Sequence, residues 1–412
     1  MKILILSLAV TIRALFELVM KSGRAMAPLI LTMLFSLSSL ASVSQKDPLG
    51  LQANNSETKV SASEPVRIAL LMEEEKQPLR VPQVGALQSP PESSWAFYMD
   101  NDVFIPSTRD RDYTGGMSFT RSSQQVAPHI LSLDSLLAKI NNLLGIDETE
   151  KTLFGYEMGL TAFTPEDIEA VEAQHDDRPY AGLIYTSNSR QNIRPQQRSS
   201  IISSLTIGVL GLDLVGDFQN AIHKNFSSRQ AKGWHNQISE GGEMTFRYSV
   251  SQQNIQQSNY ARGRANYEIK TSRKASLGYI SDVSWSVSGR LGRLQAPWWT
   301  FNPQTSEYAE KSSPTTIGNS LHHRKEFYIW AGLSVRLRLY NALLQGQFRD
   351  SVVTYSSDEL NHVLGEGWLG VTKEFGDGFR FSYFIRGQTK EIKYGRGARN
   401  LVWGGIIVSQ TI

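Results

Sequence analysis

From Trp95 to the C-terminus, apolar and polar residues alternate in short runs. Ser284-Trp285-Ser286-Val287-Ser288-Gly289-Arg290-Leu291 and Phe379-Arg380-Phe381-Ser382-Tyr383-Phe384-Ile385-Arg386 show the pattern most clearly. A period of two marks β-strands with chemically different faces, here one apolar or aromatic and one carrying Arg, Ser and Thr. Strands are predicted near 95–103, 113–122, 152–163, 180–189, 197–210 and 241–253. Six more follow near 262–276, 279–292, 325–340, 363–374, 378–390 and 398–411. That makes about twelve, an even number as in bacterial outer-membrane barrels. Two segments, 128–144 and 214–226, carry helical spacing instead. The fold class expected is all-β: a 12-stranded antiparallel transmembrane β-barrel with short helices in its loops. In a soluble β-sandwich, the competing fold, the apolar face would turn to a core rather than to lipid. The last strand reaches the C-terminus with Val402, Ile406, Val408 and Ile412 at alternate positions, the usual place for an outer-membrane assembly signal. Barrels often end in an aromatic residue there, whereas this chain ends in Ile412.

Ahead of the strands the pattern changes. The apolar run Lys2–Met20 is interrupted by Arg13 and Glu17, and a second run, Ala27–Leu40, follows Lys21 and Arg24. A basic start, an apolar centre and the small-residue exit Ser39-Leu40-Ala41 describe a secretory signal over 1–41, and a start at Met20 would give it ordinary length. The second run is too short to favour a membrane anchor. Residues 42–93 are rich in Ser, Gln, Pro and Glu without periodicity and read as a disordered leader, with at most a short helix over 70–76. The barrel domain is expected over 94–412.

Composition narrows the class. The chain has 412 residues and no cysteine, which excludes disulfides, thiolate metal sites, a Cys nucleophile and a lipoprotein anchor. Lys and Arg number 42 against 39 Asp and Glu, so no basic surface for nucleic acid is expected. The signal, the missing cysteines and the spread of aromatics favour the barrel over the sandwich.

Strand parity places the chemistry. With the leader in the periplasm, the loops after strands one, three and five (104–112, 164–179 and 211–240) share the extracellular side. Unusual polar residues gather at those loops: Asn101, Asp102 and Thr114 at the first, Asp176, Asp177 and Arg178 at the second, and Gln219, Asn220 and His223 on the helix of the third. Gln219 and His223 are four apart and share a helix face, while Phe218, Ile222 and Phe226 form a neighbouring stripe able to pin the helix to the wall. A histidine so held can serve as a general base, although a lone helix-surface His is more often inert. His175, beside Asp176, ranks below it. Adjacent Asn101 and Asp102 face opposite ways in a regular strand and reach one site only at a strand end or bulge. Their oxygens suit Ca²⁺, and Thr114 could add a hydroxyl, but Asn and Asp equally favour plain turns. Gly-x-Ser-x-Gly is absent and no Ser is visibly paired with His223, which points to an activated water if the protein is an enzyme.

Taken together the motifs resemble the lipid A 3'-O-deacylase family. The residues that carry the resemblance are Asn101-Asp102-Val103-Phe104, Asp110-Arg111-Asp112-Tyr113-Thr114-Gly115-Gly116, Thr164-Pro165-Glu166-Asp167 and Asp177-Arg178-Pro179-Tyr180-Ala181-Gly182. Ile207-Gly208-Val209-Leu210-Gly211, Gln219-Asn220-Ala221-Ile222-His223 and Gly233-Trp234-His235-Asn236-Gln237 follow in order. The resemblance implies a Ca²⁺-dependent outer-membrane esterase that removes the 3'-linked acyloxyacyl chain of lipid A. It implies His223 as the base and Asn101, Asp102, Thr114 and Gln219 as residues placing metal, water or oxyanion, with Asn101 and Asp102 as the Ca²⁺ ligands. Lys224, Arg229, Lys232 and Arg178 are candidate cations for lipid phosphates, or else solvated loop charges. A basic pair of the family after the third strand has no match here, where Ile168, Glu169 and Ala170 stand. The expected partners are lipopolysaccharide in the outer leaflet, the outer membrane itself and the barrel-assembly machinery. An esterase for another lipid, such as a phospholipid, and a non-catalytic porin or scaffold are the rival readings.

Overall fold

A computed structural model describes residues 93–105, 112–125, 132–149, 151–225, 228–261, 264–311, 325–376 and 378–411. The expected signal and leader, with the helix over 70–76, lie outside the described residues, save residue 93.

Twelve antiparallel strands close into a barrel in which β1 pairs with both β2 and β12. In order they are β1 (Ser94–Asn101), β2 (Asp112–Ser123), β3 (Thr152–Thr164), β4 (Ala181–Arg194), β5 (Ser199–Leu210) and β6 (Glu243–Ala261). The circuit continues with β7 (Arg264–Gly278), β8 (Ile280–Leu294), β9 (Phe327–Asn341), β10 (Val363–Gly376), β11 (Phe379–Gln388) and β12 (Leu401–Thr411). Closure is made by registers such as Phe97 opposite Val408 on one side and Phe119 on the other. Every strand pairs with its neighbour in sequence, so no edge is left open. The predicted strands are present, several with longer arms, β6 most of all. Among the described residues three α-helices interrupt them: α1 (Asp134–Leu143), α2 (Asp213–Asn225) and the single turn α3 (Ala342–Gln345). The last was not visible in the periodicity. α1, in the β2–β3 connection, packs Leu137 against Ile201, Leu205 and Tyr248 and carries none of the candidate residues.

The alternation resolves into two faces. Arg380, Ser382 and Arg386 of β11 are buried inside the barrel, whereas Phe379 and Phe381 are exposed outside it. A barrel that is polar inside and apolar outside is built for a hydrocarbon surround.

The lumen is partly occupied by the chain itself, with cavities of about 670 and 490 Å³ remaining. Residues 295–311, after β8, run through it and satisfy its charges. Asn302 Oδ1 accepts from Lys270 Nζ at 3.1 Å, Glu307 pairs with Arg336 at 2.7 Å, and Glu310 pairs with Lys274. The Tyr308 ring sits among Phe163 (4.9 Å), Tyr113 (5.3 Å) and Trp403 (5.9 Å). Lys311 pairs with Asp100 near the end of β1, and its N–H donates to Glu157 at 2.9 Å.

Candidate active site

β1 ends at Asn101, where the chain enters a 3-10 turn, Asp102–Phe104. Asn101 holds this corner: its Oδ1 accepts from the Val103 N–H at 2.6 Å and its Nδ2 donates to the Thr114 carbonyl at 2.5 Å. Gly115 permits the approach. Its φ is +151°, and a Cβ there would lie 2.8 Å from the Asp100 carbonyl oxygen. A register shift between Tyr113 and Gly115 brings Thr114 beside β3, where its hydroxyl shares a 2.6 Å hydrogen bond with that of Thr164.

α2 lies against β3 and β4. It docks through Val215, which packs with Ala162, Ile168, Tyr180, Ala231 and Trp234, and the wall beneath it is thinned at Gly182, where a Cβ would stand 2.9 Å from the Val215 side chain. The expected Phe218–Ile222–Phe226 pin is therefore not what seats the helix. Phe218 and Ile222 turn into an adjoining cleft, and Phe226 lies outside the described residues.

That cleft, about 520 Å³, lies on the outer wall between β1–β3 and α2. Asn101, Thr114, Gln219 and His223 line it, together with the apolar Met99, Met117, Leu160, Phe218 and Ile222. Four residues singled out from three separate stretches thus meet at one site. The apolar lining was missed: Met99, Met117 and Leu160 sit in strand alternation like any outward residue, and nothing in their spacing marks a cleft.

His223 is half-buried, and its Nδ1 hydrogen-bonds the Arg229 carbonyl. A carbonyl only accepts, so Nδ1 carries the proton, and in the neutral ring the lone pair then lies on Nε2, the tautomer a base requires. Gln219 is 6 % exposed. Its Oε1 accepts from Trp234 Nε1 at 2.7 Å, while its Nε2 is buried with no hydrogen-bond partner among the described residues.

Two candidate residues lie away from the cleft lining. Asp102 does not line the cleft with Asn101; it is 2 % exposed, buried within the turn that follows. Arg178 is not open to a lipid phosphate: it is 1 % exposed, with its guanidinium 5.2 Å from the Phe163 ring centre and 3.8 Å from Asp112. It belongs to a clasp between the β3–β4 and β11–β12 loops, in which Arg399 holds Asp112 at 2.7 Å and Asp177 at 2.8 Å. Beside it, the hydrogen bond from Arg396 holds the Asp176 carboxyl below the ordinary carboxylate range. Lys224 and Arg229 are exposed near His223, Arg229 lying 4.0 Å from Glu169. His175 is exposed in its loop and does not line the cleft.

The candidate oxygen donors for Ca²⁺ are Asn101 at the cleft and Asp102 in the turn that follows it. Such an ion gathers roughly 6–8 oxygens, usually with carboxylates among them. Among the described residues the one carboxylate residue lining the cleft, Asp100, pairs with Lys311 inside the barrel, and no group of three His, Asp or Glu surrounds a metal position.

A closed barrel with polar residues inside, apolar residues outside and a chemically equipped cleft on its wall defines an outer-membrane β-barrel protein with a surface site. The sequence model of the family described as outer membrane protein LpxR matches residues 71–412, and the chain belongs to that family, the lipid A 3'-O-deacylases. Among solved structures, LpxR from Salmonella typhimurium has a similar fold, with a TM-score of 0.60 and 17 % identity, covering 77 % of this chain and 100 % of that one. The KdgM porin aligns over 77 % of this chain and 99 % of its own, at TM-score 0.34 and 5 % identity. The translocator domain of autotransporter NalP from Neisseria meningitidis aligns over 79 % and 89 %, at 0.31 and 8 %. No curated protein sequence matches the chain.

Proposed function

We propose that this protein is an outer-membrane esterase that removes the 3'-linked acyloxyacyl chain from lipid A by attack of a His223-activated water. The observation that carries this reading is the cleft itself. A histidine in the base tautomer and a buried amide donor stand beside an apolar lining that opens on the outer wall. An ester whose alcohol sits at the headgroup and whose acyl chain lies in the leaflet can reach such a cleft from the membrane plane. The barrel end that carries α2 is the extracellular one if the leader starts in the periplasm, and lipid A occupies the outer leaflet there.

In this reading His223 Nε2 takes a proton from water as the water oxygen bonds to the ester carbonyl carbon. Charge develops on the carbonyl oxygen, and the Gln219 Nε2–H donates to it. As the tetrahedral intermediate collapses, the bond to the sugar oxygen breaks. The imidazolium returns its proton to that oxygen, leaving a free 3'-hydroxyl and a released fatty acid. Asn101 and Thr114 shape the polar end, and Lys224 and Arg229 stand near enough to attract lipid phosphates. Ca²⁺ is kept as a proposal on the oxygen chemistry of Asn101 and Asp102 alone, with no step assigned to it.

The test is lipid A mass spectrometry in a host with intact lipid A. Wild type should yield lipid A lighter by the 3'-acyloxyacyl group, and His223→Ala, equally abundant in the outer membrane, should yield none. Unshortened lipid A with folded wild type rejects the proposal. Shortening of phospholipids instead would point to the rival esterase.

A further inference from the structure

We infer that Trp234 is a positioning residue, whose indole N–H fixes the Gln219 side chain with its NH₂ group turned into the cleft; the inference rests on the proposed use of Gln219 as an oxyanion donor. A glutamine amide has an acceptor and a donor of nearly the same size and shape, so rotation by half a turn exchanges them without changing the packing. Which end faces the substrate is therefore a matter of what holds the other end. Indole nitrogen only donates. At 2.7 Å from Gln219 it accepts no orientation but oxygen toward the ring, which puts Nε2 at the far end of the amide, where its two N–H bonds have no partner among the described residues. With the amide reversed, Trp234 would face another donor, and the cleft would present an oxygen lone pair to a developing negative charge.

Trp234 is itself held firmly. Its ring centre lies 5.0 Å from that of Tyr180, whose hydroxyl donates to the Ile168 carbonyl at 3.0 Å. Gly216 of α2 lies flat on the indole, where a Cβ would come within 2.6 Å of the ring. The ring is 7 % exposed, so water does not compete for its N–H. The same contacts give Trp234 an ordinary packing role, which the test has to separate from positioning.

Trp234→Phe keeps a ring against Tyr180 and deletes the N–H. Full-length protein in detergent micelles is compared with wild type in two readouts. The first is the ¹⁵N–¹H spectrum of the Gln219 side-chain amide, assigned by its loss in Gln219→Leu. We expect Trp234→Phe to shift and broaden this pair as the amide begins to rotate. The second is turnover of hexa-acylated lipid A in mixed micelles, where kcat should fall at least tenfold with KM within twofold and thermal midpoint unchanged. Gln219→Glu should cost a similar factor alone and add nothing in the Trp234→Phe background, because both remove the same donor. An unmoved Gln219 amide, or wild-type kcat in the variant, overturns the inference. A fall in kcat matched by a fall in thermal midpoint, with the amide pair unmoved, assigns Trp234 to packing and overturns it too. If wild type does not turn over lipid A, the function proposal fails, and the amide spectrum still decides whether Trp234 orients Gln219.

Discussion

Asn101 and Gln219 carry the same functional group and use it differently. Asn101 engages both ends with backbone, closing the corner between β1 and β2. Gln219 engages one end and leaves the other buried with no hydrogen-bond partner among the described residues. At this scale the sequence was partly legible. Four polar residues at loop edges did converge, because strand ends on one side of a barrel are neighbours whatever their separation in sequence. The fate of Asp102 was not legible: alternation places it opposite Asn101, but only the 3-10 turn shows that it goes under the surface. Arg178 misled for a related reason. Its partners Asp112 and Phe163 come from other strands, and a charge pattern does not reveal which side chain will neutralise it. The calcium proposal is decided among these residues. If the ion acts, EDTA should lower lipid A deacylation at least tenfold, added Ca²⁺ should restore it, and Asp102→Asn should blunt the restoration. Turnover unchanged in EDTA removes the ion from the reaction.

The element that makes the site is α2. The spacing predicted a helix over 214–226, and Asp213–Asn225 is its extent. Which face it would bury was misread, since periodicity offers two apolar stripes and the receiving surface chooses between them. Val215 docks because β4 presents Gly182 beneath it, leaving Phe218 and Ile222 for the cleft. Gly182→Leu should therefore act on the site without touching it. The new side chain has to displace Val215, overpacking of this kind costs about 1–3 kcal/mol, and a helix resting on a wall yields more easily than the wall. We expect deacylation to fall at least tenfold while the barrel keeps its heat-modifiable mobility on gels. Full activity in a folded Gly182→Leu variant would show that the seat of α2 is not what holds His223 and Gln219 in place.

For the whole molecule the question is what the lumen does. Twelve closed strands enclose space that a porin would leave to water. Here residues 295–311 occupy it with charges complementary to the wall: Glu307 to Arg336 and Arg338, Glu310 to Arg247 and Lys274, Lys311 to Asp100. Strand periodicity could not foresee this, because a segment between strands with Trp298, Trp299, Glu307 and Lys311 reads only as a loop until the wall facing it is known. Breaking one partner from a buried ion pair leaves an uncompensated charge, at a cost of roughly 3–5 kcal/mol, so the ion pairs resist removal one at a time and hold the segment in place. A barrel closed in this way should not conduct, and its chemistry is left to the outer wall. Reconstituted into planar bilayers, the wild type should show no ion steps at voltages where a porin opens. Glu307→Gln combined with Glu310→Gln should loosen the segment and raise leak current before it affects lipid A turnover. Steady porin-like steps from the wild type would restore the channel reading and show that residues 295–311 do not block the lumen.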